Sequence, residues 1–273
     1  MKISLITACY NSAATIRTAM ESVLSQRGVD VEYLIIDGGS TDSTVDIIKE
    51  YSTRSTRSTR LTFKWLSERD QGMYDAINKG IKMATGDVVG ILNADDVLES
   101  PDTLANVVAA FELKEASVPC SLFPVPQRID ALYADIRFVK DDLNTTVRYY
   151  SAKHWKPWML QWGKMPPHPS VYIRRELFEK YGLYKLGYDI AADYELLIRY
   201  LRMAKLKTKY LNESLVRMRM GGKSTRGWKS FVTLNKEIVR DNRENGYLCC
   251  FPMLLPKYLF KIFEFILPKL GLK

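Results

Sequence analysis

Two adjacent carboxylates, Asp95 and Asp96, stand just after the apolar run Val88-Val89-Gly90-Ile91-Leu92. Side by side at the end of a strand they repel each other unless a cation lies between them. Hard oxygen ligands of this kind suit Mg2+ or Mn2+ carrying a phosphate-bearing ligand. Asn and Asp are also ordinary turn residues, so the pair alone leaves a metal site and a polar turn equally open. A third carboxylate, Asp193, sits at the first turn of a segment with apolar residues at Leu196, Leu197, Tyr200 and Leu201. It can take a proton from a hydroxyl as a general base, or it can simply favour the helix start. His168, one of two histidines, could ligate metal, contact phosphate or serve packing. Arg217, Arg219 and Lys223 flank Gly221-Gly222 and could neutralise a diphosphate; a solvated basic loop is the alternative.

The elements that must position these groups follow from periodicity. Short β-branched runs over 2–7, 31–36, 61–66 and 87–92 read as strands buried on both faces. Helical spacing falls between them, over 13–24, around Val45, Ile47 and Ile48, and over 73–84. Each of the four strands ends in a polar turn, and right-handed crossovers bring such turns to one sheet edge. Asp75, Asn78 and Lys79 fall on the polar face of the third helix, within reach of that edge. The pattern predicts a doubly wound α/β domain. Further on, a helix is expected over 101–111, strands over 130–139, 171–173 and 215–220, and a helix over 174–180. Asp135, within the strand over 130–139, faces either the site or solvent. The segment 153–170 is rich in aromatics, with Trp155, Trp158 and Trp162, and is read either as an acceptor-binding loop or as packing of an irregular connection. The threefold Ser-Thr-Arg repeat over 52–60 reads as a low-complexity expansion in an exposed loop.

Four stretches together carry a resemblance. Thr7-Ala8-Cys9-Tyr10-Asn11, Asp37-Gly38-Gly39-Ser40-Thr41-Asp42, the run from Ser67-Glu68-Arg69-Asp70-Gln71-Gly72 to Gly80, and Leu92-Asn93-Ala94-Asp95-Asp96 resemble the family 2 glycosyltransferases, in order and in spacing. The resemblance implies the GT-A fold, a Rossmann-like, mostly parallel sheet flanked by helices. It implies an inverting transfer of a sugar from a nucleotide-diphosphate donor, a UDP-sugar by expectation, to a hydroxyl acceptor such as a lipid-linked saccharide in polysaccharide biosynthesis. Thr7, Tyr10, Asp37, Asp70, Asp75, Asn78 and Asp95 are then the nucleotide-sugar contacts, and Asp95 and Asp96 the ligands of Mg2+ or Mn2+. Asn93 departs from the pattern where many members carry a first Asp, which leaves the direct metal ligand open between Asp95 and Asp96. Asp193 falls on the catalytic base, with Ala192 in place of the usual Glu. Arg217, Arg219, Lys223 and His168 remain for the diphosphate or the acceptor.

Two other classes fit less well. A nucleotidyltransferase shares a similar sheet and metal site but carries a Gly-rich basic loop after its first strand, where this chain has Ala8-Cys9-Tyr10-Asn11. A non-catalytic nucleotide-sugar-binding protein or a nucleic-acid-binding protein is suggested only by the charge, and a nucleic-acid partner is not expected, because the basic residues are dispersed and no recognition motif accompanies them. The net charge of +9 over 273 residues instead suits nucleotide phosphates or a membrane surface. Four cysteines without Cys-x-x-Cys spacing favour a reducing compartment. With no secretory pattern at the start and no run of about 20 apolar residues, a cytoplasmic protein at the inner face of the membrane is expected. The organisation expected is a GT-A domain over 1–226, with a nucleotide-binding half (1–118) and an acceptor half (119–226), followed by a helical amphipathic tail over 227–273. Within the tail, 247–273 mixes lysines with Leu254, Leu255, Leu259, Ile262 and Phe263, as an interfacial helix does; a packing or dimer helix is the other reading.

Overall fold

A computed structural model describes residues 1–54, 60–112, 128–221 and 227–258. Apolar residues of the first strands alternate between two core layers, as the two-residue period of a strand requires. β1 (Lys2–Cys9) sends Ile3 and Leu5 into one layer and Ile6 into the other. β2 (Asp30–Asp37) does the same with Val31, Tyr33 and Ile35 against Leu34 and Ile36. α1 (Ile16–Leu24) and α4 (Thr103–Glu112) cover the first layer, and α3 (Met73–Met83) covers the second with Tyr74, Ile77 and Ile81. With β3 (Leu61–Ser67) and β4 (Val88–Ile91), the parallel order is β3-β2-β1-β4. All four strands end at one edge. α2 (Thr44–Arg54) leaves the second of these ends, with Asp42 Oδ1 accepting from Thr44 N at 3.0 Å.

Past β4 the pairing becomes mixed. β8 (Tyr172–Arg174) runs antiparallel to β4, and β6 (Ala131–Val139) pairs with β8, with β7 (Thr146–Tyr150) and, in parallel, with β9 (Thr208–Arg219). β5 (Val97–Leu98) closes the far edge against β9. The β4–β8 seam depends on Gly90, because a Cβ there would collide with the Tyr172 ring. Three helices follow in the second half of the chain: α5 (Glu176–Tyr181), α6 (Ala192–Leu197) and α7 (Trp228–Glu244).

The expected strands and helices are present, most with ends moved by one to three residues, although β9 begins at Thr208 rather than at 215. β5 and β7 were not expected, and α7 lies within the tail over 227–273 that was expected to be helical. β7 alternates Val147 and Tyr149 against Arg148 and Tyr150, which gives little apolar contrast. α7 buries a face in which Ile238 stands among Asn235, Glu237, Asp241 and Asn242, so its inward side does not read as apolar. The set-apart segment therefore begins with a helix packed onto the acceptor side. Most of the Ser-Thr-Arg repeat, the connection over 113–127, Lys223 and residues 259–273 lie outside the described residues. Among those described, no helix is long and apolar enough to cross a membrane.

Candidate active site

The strand ends open into a cleft of ≈ 1220 Å³. Its donor-side wall is Cys9 to Ser12 after β1, Gly38, Gly39 and Thr41 after β2, Arg69 and Asp70 after β3, and Asn93 to Asp95 after β4. These turns brace one another. Asn11, held at φ 49, accepts from Thr41 N at 2.9 Å and receives Ser40 Oγ against its own N–H at 2.8 Å. Asn is among the few side chains that tolerate this left-handed geometry. Gly38 is required by close approach, since a Cβ there would strike the Asp70 carboxylate. Tyr10 remains 60% exposed in the cleft, which leaves an aromatic face free to stack.

Asp37 is fully buried behind this wall rather than on it. Burial pushes its carboxyl up, but donation from the Ser40 and Ser67 hydroxyls and from the N–H groups of Ser40 and Gly39 outweighs burial and leaves it below the ordinary range. Thr7 is buried against the Tyr33 hydroxyl at 3.1 Å. Asp75 accepts from Gln71 N at 3.1 Å while Asp70 accepts from Gly72 N at 2.8 Å, so the two carboxylates jointly secure the start of α3. Asn78 clamps the Tyr184 backbone, donating to its carbonyl at 2.8 Å and accepting from its N–H at 3.0 Å. Lys79 is taken up by Glu68 at 2.8 Å and by the Arg69 carbonyl at 3.0 Å. The expectation that Asp75, Asn78 and Lys79 reach a ligand from the helix face is therefore corrected: that face is turned to protein, and Thr7 likewise contributes structure rather than cleft surface.

The two neighbouring carboxylates divide their tasks. Asp95 lines the cleft. Asp96 is fully buried, accepting from Asn93 Nδ2 at 2.8 Å and from Arg219 N at 3.1 Å. Burial first, and then the Asp95 charge, raise the Asp96 carboxyl well above the usual carboxylate range. Asp96 thus ties β9 to the β4 turn, and its placement as a metal ligand is not what the geometry offers. Arg219 continues the tie, donating to the Asp95 carbonyl and to Thr18 Oγ1 at 3.1 Å. Arg217 donates to the carbonyls of Leu143 (3.2 Å) and Leu98 (3.4 Å) and does not reach the cleft. A divalent ion bridging diphosphate oxygens needs only one or two protein carboxylates, with water completing its shell. Asp95 meets that minimum. Among the described residues, no group of three His, Cys, Asp or Glu side chains could hold a metal unaided.

The opposite wall comes from the second half of the chain: Arg148 and Tyr150 of β7, residues 163–165 with His168, Asp189, Ile190 and Asp193 at the start of α6, Met218 of β9, and Leu234 and Ile238 of α7. Asp193 is half-buried and accepts from Tyr194 N at 2.8 Å. Burial, followed by the charges of Glu237 and Asp241, pushes its carboxyl up to about 7. His168 pairs with the Tyr184 hydroxyl at 2.7 Å, and loss of solvent pushes it down to about 4, so it is a neutral wall residue. Asp135 faces neither cleft nor solvent: it accepts from the Tyr149 and Tyr210 hydroxyls and from Ala152 N, at 2.7–2.9 Å. Trp155 is buried, Trp158 and Trp162 are exposed, and none of the three lines the cleft.

Three site residues escaped the motifs. Tyr74 lines the cleft from the first turn of α3 and donates to the Ile190 carbonyl. Arg148 lies over the rings of Phe138 and Tyr150, 4.7 and 5.1 Å from their centroids. Glu237 approaches the base of the Asp193 loop from α7. Only Tyr74 lies inside a motif-bearing stretch.

A sheet whose parallel strands end at a carboxylate-lined cleft, with helices packed on its faces, is the GT-A arrangement of glycosyltransferases. The chain belongs to glycosyl transferase family 2, whose family model matches residues 4–182. A PGL/p-HBAD biosynthesis glycosyltransferase of Mycobacterium bovis is 32% identical over 209 residues, 77% of this chain and 73% of that protein. An uncharacterized glycosyltransferase of Nostoc is 30% identical over 226 residues, 81% of this chain and 66% of that protein. Among solved structures, S. aureus TarS 1–349 in complex with UDP-GlcNAc superposes with a TM-score of 0.63 at 17% identity, covering 88% of this chain and 66% of that one. A longer TarS chain matches at 0.62 and 18% identity, and this protein spans 39% of its length. The mannosyltransferase PcManGT of Pyrobaculum calidifontis, in complex with GDP-Man and Mn2+, matches at 0.61 and 18% identity over 93% of this chain and 67% of that one.

Proposed function

We propose that this glycosyltransferase moves a sugar, with inversion, from a UDP-sugar to a hydroxyl of a lipid-linked saccharide. The observation that carries this reading is that Asp193, with its raised proton affinity, lines the same cleft as Asp95. A general base works best when its pKa lies near the operating pH. Asp193 accepts the proton of the acceptor hydroxyl, whose oxygen forms the new bond to the anomeric carbon from the face opposite the donor diphosphate. The bond from that carbon to the diphosphate oxygen breaks, and UDP leaves with the electron pair. Asp95 would hold Mg2+ or Mn2+, which when bound would neutralise charge on the diphosphate. Tyr10 offers its exposed ring to the base, the turn braced by Asp37 and Asn11 seats the nucleoside, and Asp70 borders the donor pocket. Arg148 gives the opposite wall of the cleft a fixed cation.

The catalytic unit is proposed to extend over 1–226, with nucleotide and acceptor halves meeting near residue 118, and residues 247–273 to rest on an anionic membrane face where a lipid-linked acceptor would be presented. The test is UDP release by purified protein from UDP-GlcNAc, UDP-Glc and UDP-Gal, with water or aryl glycosides as acceptor, in Mn2+ and in EDTA. Release of UDP that EDTA abolishes is expected. Release of UMP with pyrophosphate chemistry, or binding without turnover of any donor, would contradict the reading.

A further inference from the structure

We infer that Glu237 of α7 is a positioning residue for Asp193, holding the loop that carries it and keeping a negative charge beside it. This rests on the reading of Asp193 as the base. Glu237 is 7% exposed, and its two carboxylate oxygens receive three consecutive backbone N–H groups, from Asp189 at 2.9 Å, Ile190 at 3.1 Å and Ala191 at 2.8 Å. No local residue could do this. The carbonyl of Ile190 accepts from the Tyr74 hydroxyl while Ala191 N, at the other end of the same peptide, donates to Glu237, so that peptide is pinned at both ends by elements distant in the chain. α7 adds two further ties: Asp241 accepts from the Tyr188 hydroxyl, and Asn242 donates to that of Tyr194 at 2.7 Å. Tyr188 and Tyr194 bracket the loop and Asp193, so one helix face fixes the whole segment. A residue placed about 1 Å out of line can lose about a hundredfold in rate, which is the scale on which such a brace matters.

The same face sets the charge environment. Asp193 meets Glu237 and Asp241 from α7, Tyr74 from α3 and Tyr184 from the loop before α6. Glu195 of its own helix is paired with Arg199 and Lys185, at 2.8 and 2.9 Å. Carboxylates facing Asp193 favour its protonated form, so its ability to accept a proton grows as pH climbs through about 7. Removing a facing charge must move that rise to lower pH. Glu237 itself does not line the cleft, and the family match ends at residue 182, well before α7.

The experiment is the pH dependence of UDP release for wild type, Glu237→Gln, Asp241→Asn and Asp193→Asn. Glutamine keeps the size of Glu237, but its amide nitrogen cannot accept, so the set of three bonds breaks. Glu237→Gln should lower the plateau rate about tenfold, move the acidic limb down by about half a pH unit or more, and leave the donor KM within about twofold, since the donor wall is untouched. Asp241→Asn preserves the three bonds and should shift the limb in the same direction with a smaller loss of plateau rate. It also keeps the test open should Glu237→Gln fold poorly. If Asp193→Asn is inactive while Glu237→Gln and Asp241→Asn retain the wild-type plateau and limb, the brace is wrong. If Asp193→Asn turns over within a few-fold of wild type, it is the assignment of the base that fails.

Discussion

The two walls of the cleft are built in opposite ways. On the donor side, every lining residue lies within a few positions of the end of a parallel strand, or at the start of α3, and all of them come from the first 95 residues. On the acceptor side the lining is drawn from β7, an irregular segment, the start of α6, the end of β9 and α7, a span from Arg148 to Tyr258. A strand edge places its turns by backbone pairing, so sequence-local motifs suffice to build a nucleotide site. The acceptor wall has no common edge and is held by side chains reaching across: Glu237 to the α6 loop, Asn78 to Tyr184, Arg219 to the Asp95 carbonyl.

The largest effect is expected where a single donor-side side chain carries the chemistry. Asp95→Asn should cut Mn2+-dependent UDP-sugar affinity about a hundredfold while leaving the melting temperature near wild type, because Asp95 lines the cleft and supports no core packing. Isothermal titration with and without EDTA reads this, and a variant that still responds to Mn2+ like wild type would remove Asp95 from the metal. A smaller effect is expected from a link between the walls. Asn78→Ala leaves both the N–H and the carbonyl of Tyr184 buried without their partner, at about 2 kcal/mol or more of stability. Urea unfolding should show that loss together with a weaker effect on donor binding than Asp95→Asn has. A stability change under about 0.5 kcal/mol would mean that the walls are held together elsewhere.

The same contrast governs what could be read from the chain. Two-faced strands, the helices between them and the polar turns after each strand were all legible, because period-two and period-3.6 patterns are local. The cleft positions of Tyr10, Asp70, Asp95, His168 and Asp193 followed from those turns and from the resemblance. Side-chain direction was not legible in the same way. Asn78 and Asp75 fall on the polar face of α3, yet that face meets the Tyr184 loop and the Gln71 turn rather than a ligand. Asp96 next to Asp95 reads as a second ligand, but in the turn between β4 and β5 Asp95 lines the cleft while Asp96 bonds to Asn93 and β9. The buried face of α7 was hidden for a related reason: the groups it buries include Asn235, Glu237, Asp241 and Asn242, with partners among backbone groups and tyrosine hydroxyls far away in sequence.

The donor and acceptor walls can be separated in one protein by measuring UDP-sugar affinity and UDP release side by side for Asp193→Asn. Donor affinity should stay within about twofold of wild type while turnover falls by about a hundredfold or more, the loss typical of a removed general base. Turnover within a few-fold of wild type, with affinity unchanged, would return Asp193 to a helix-start residue and leave the acceptor wall without its base.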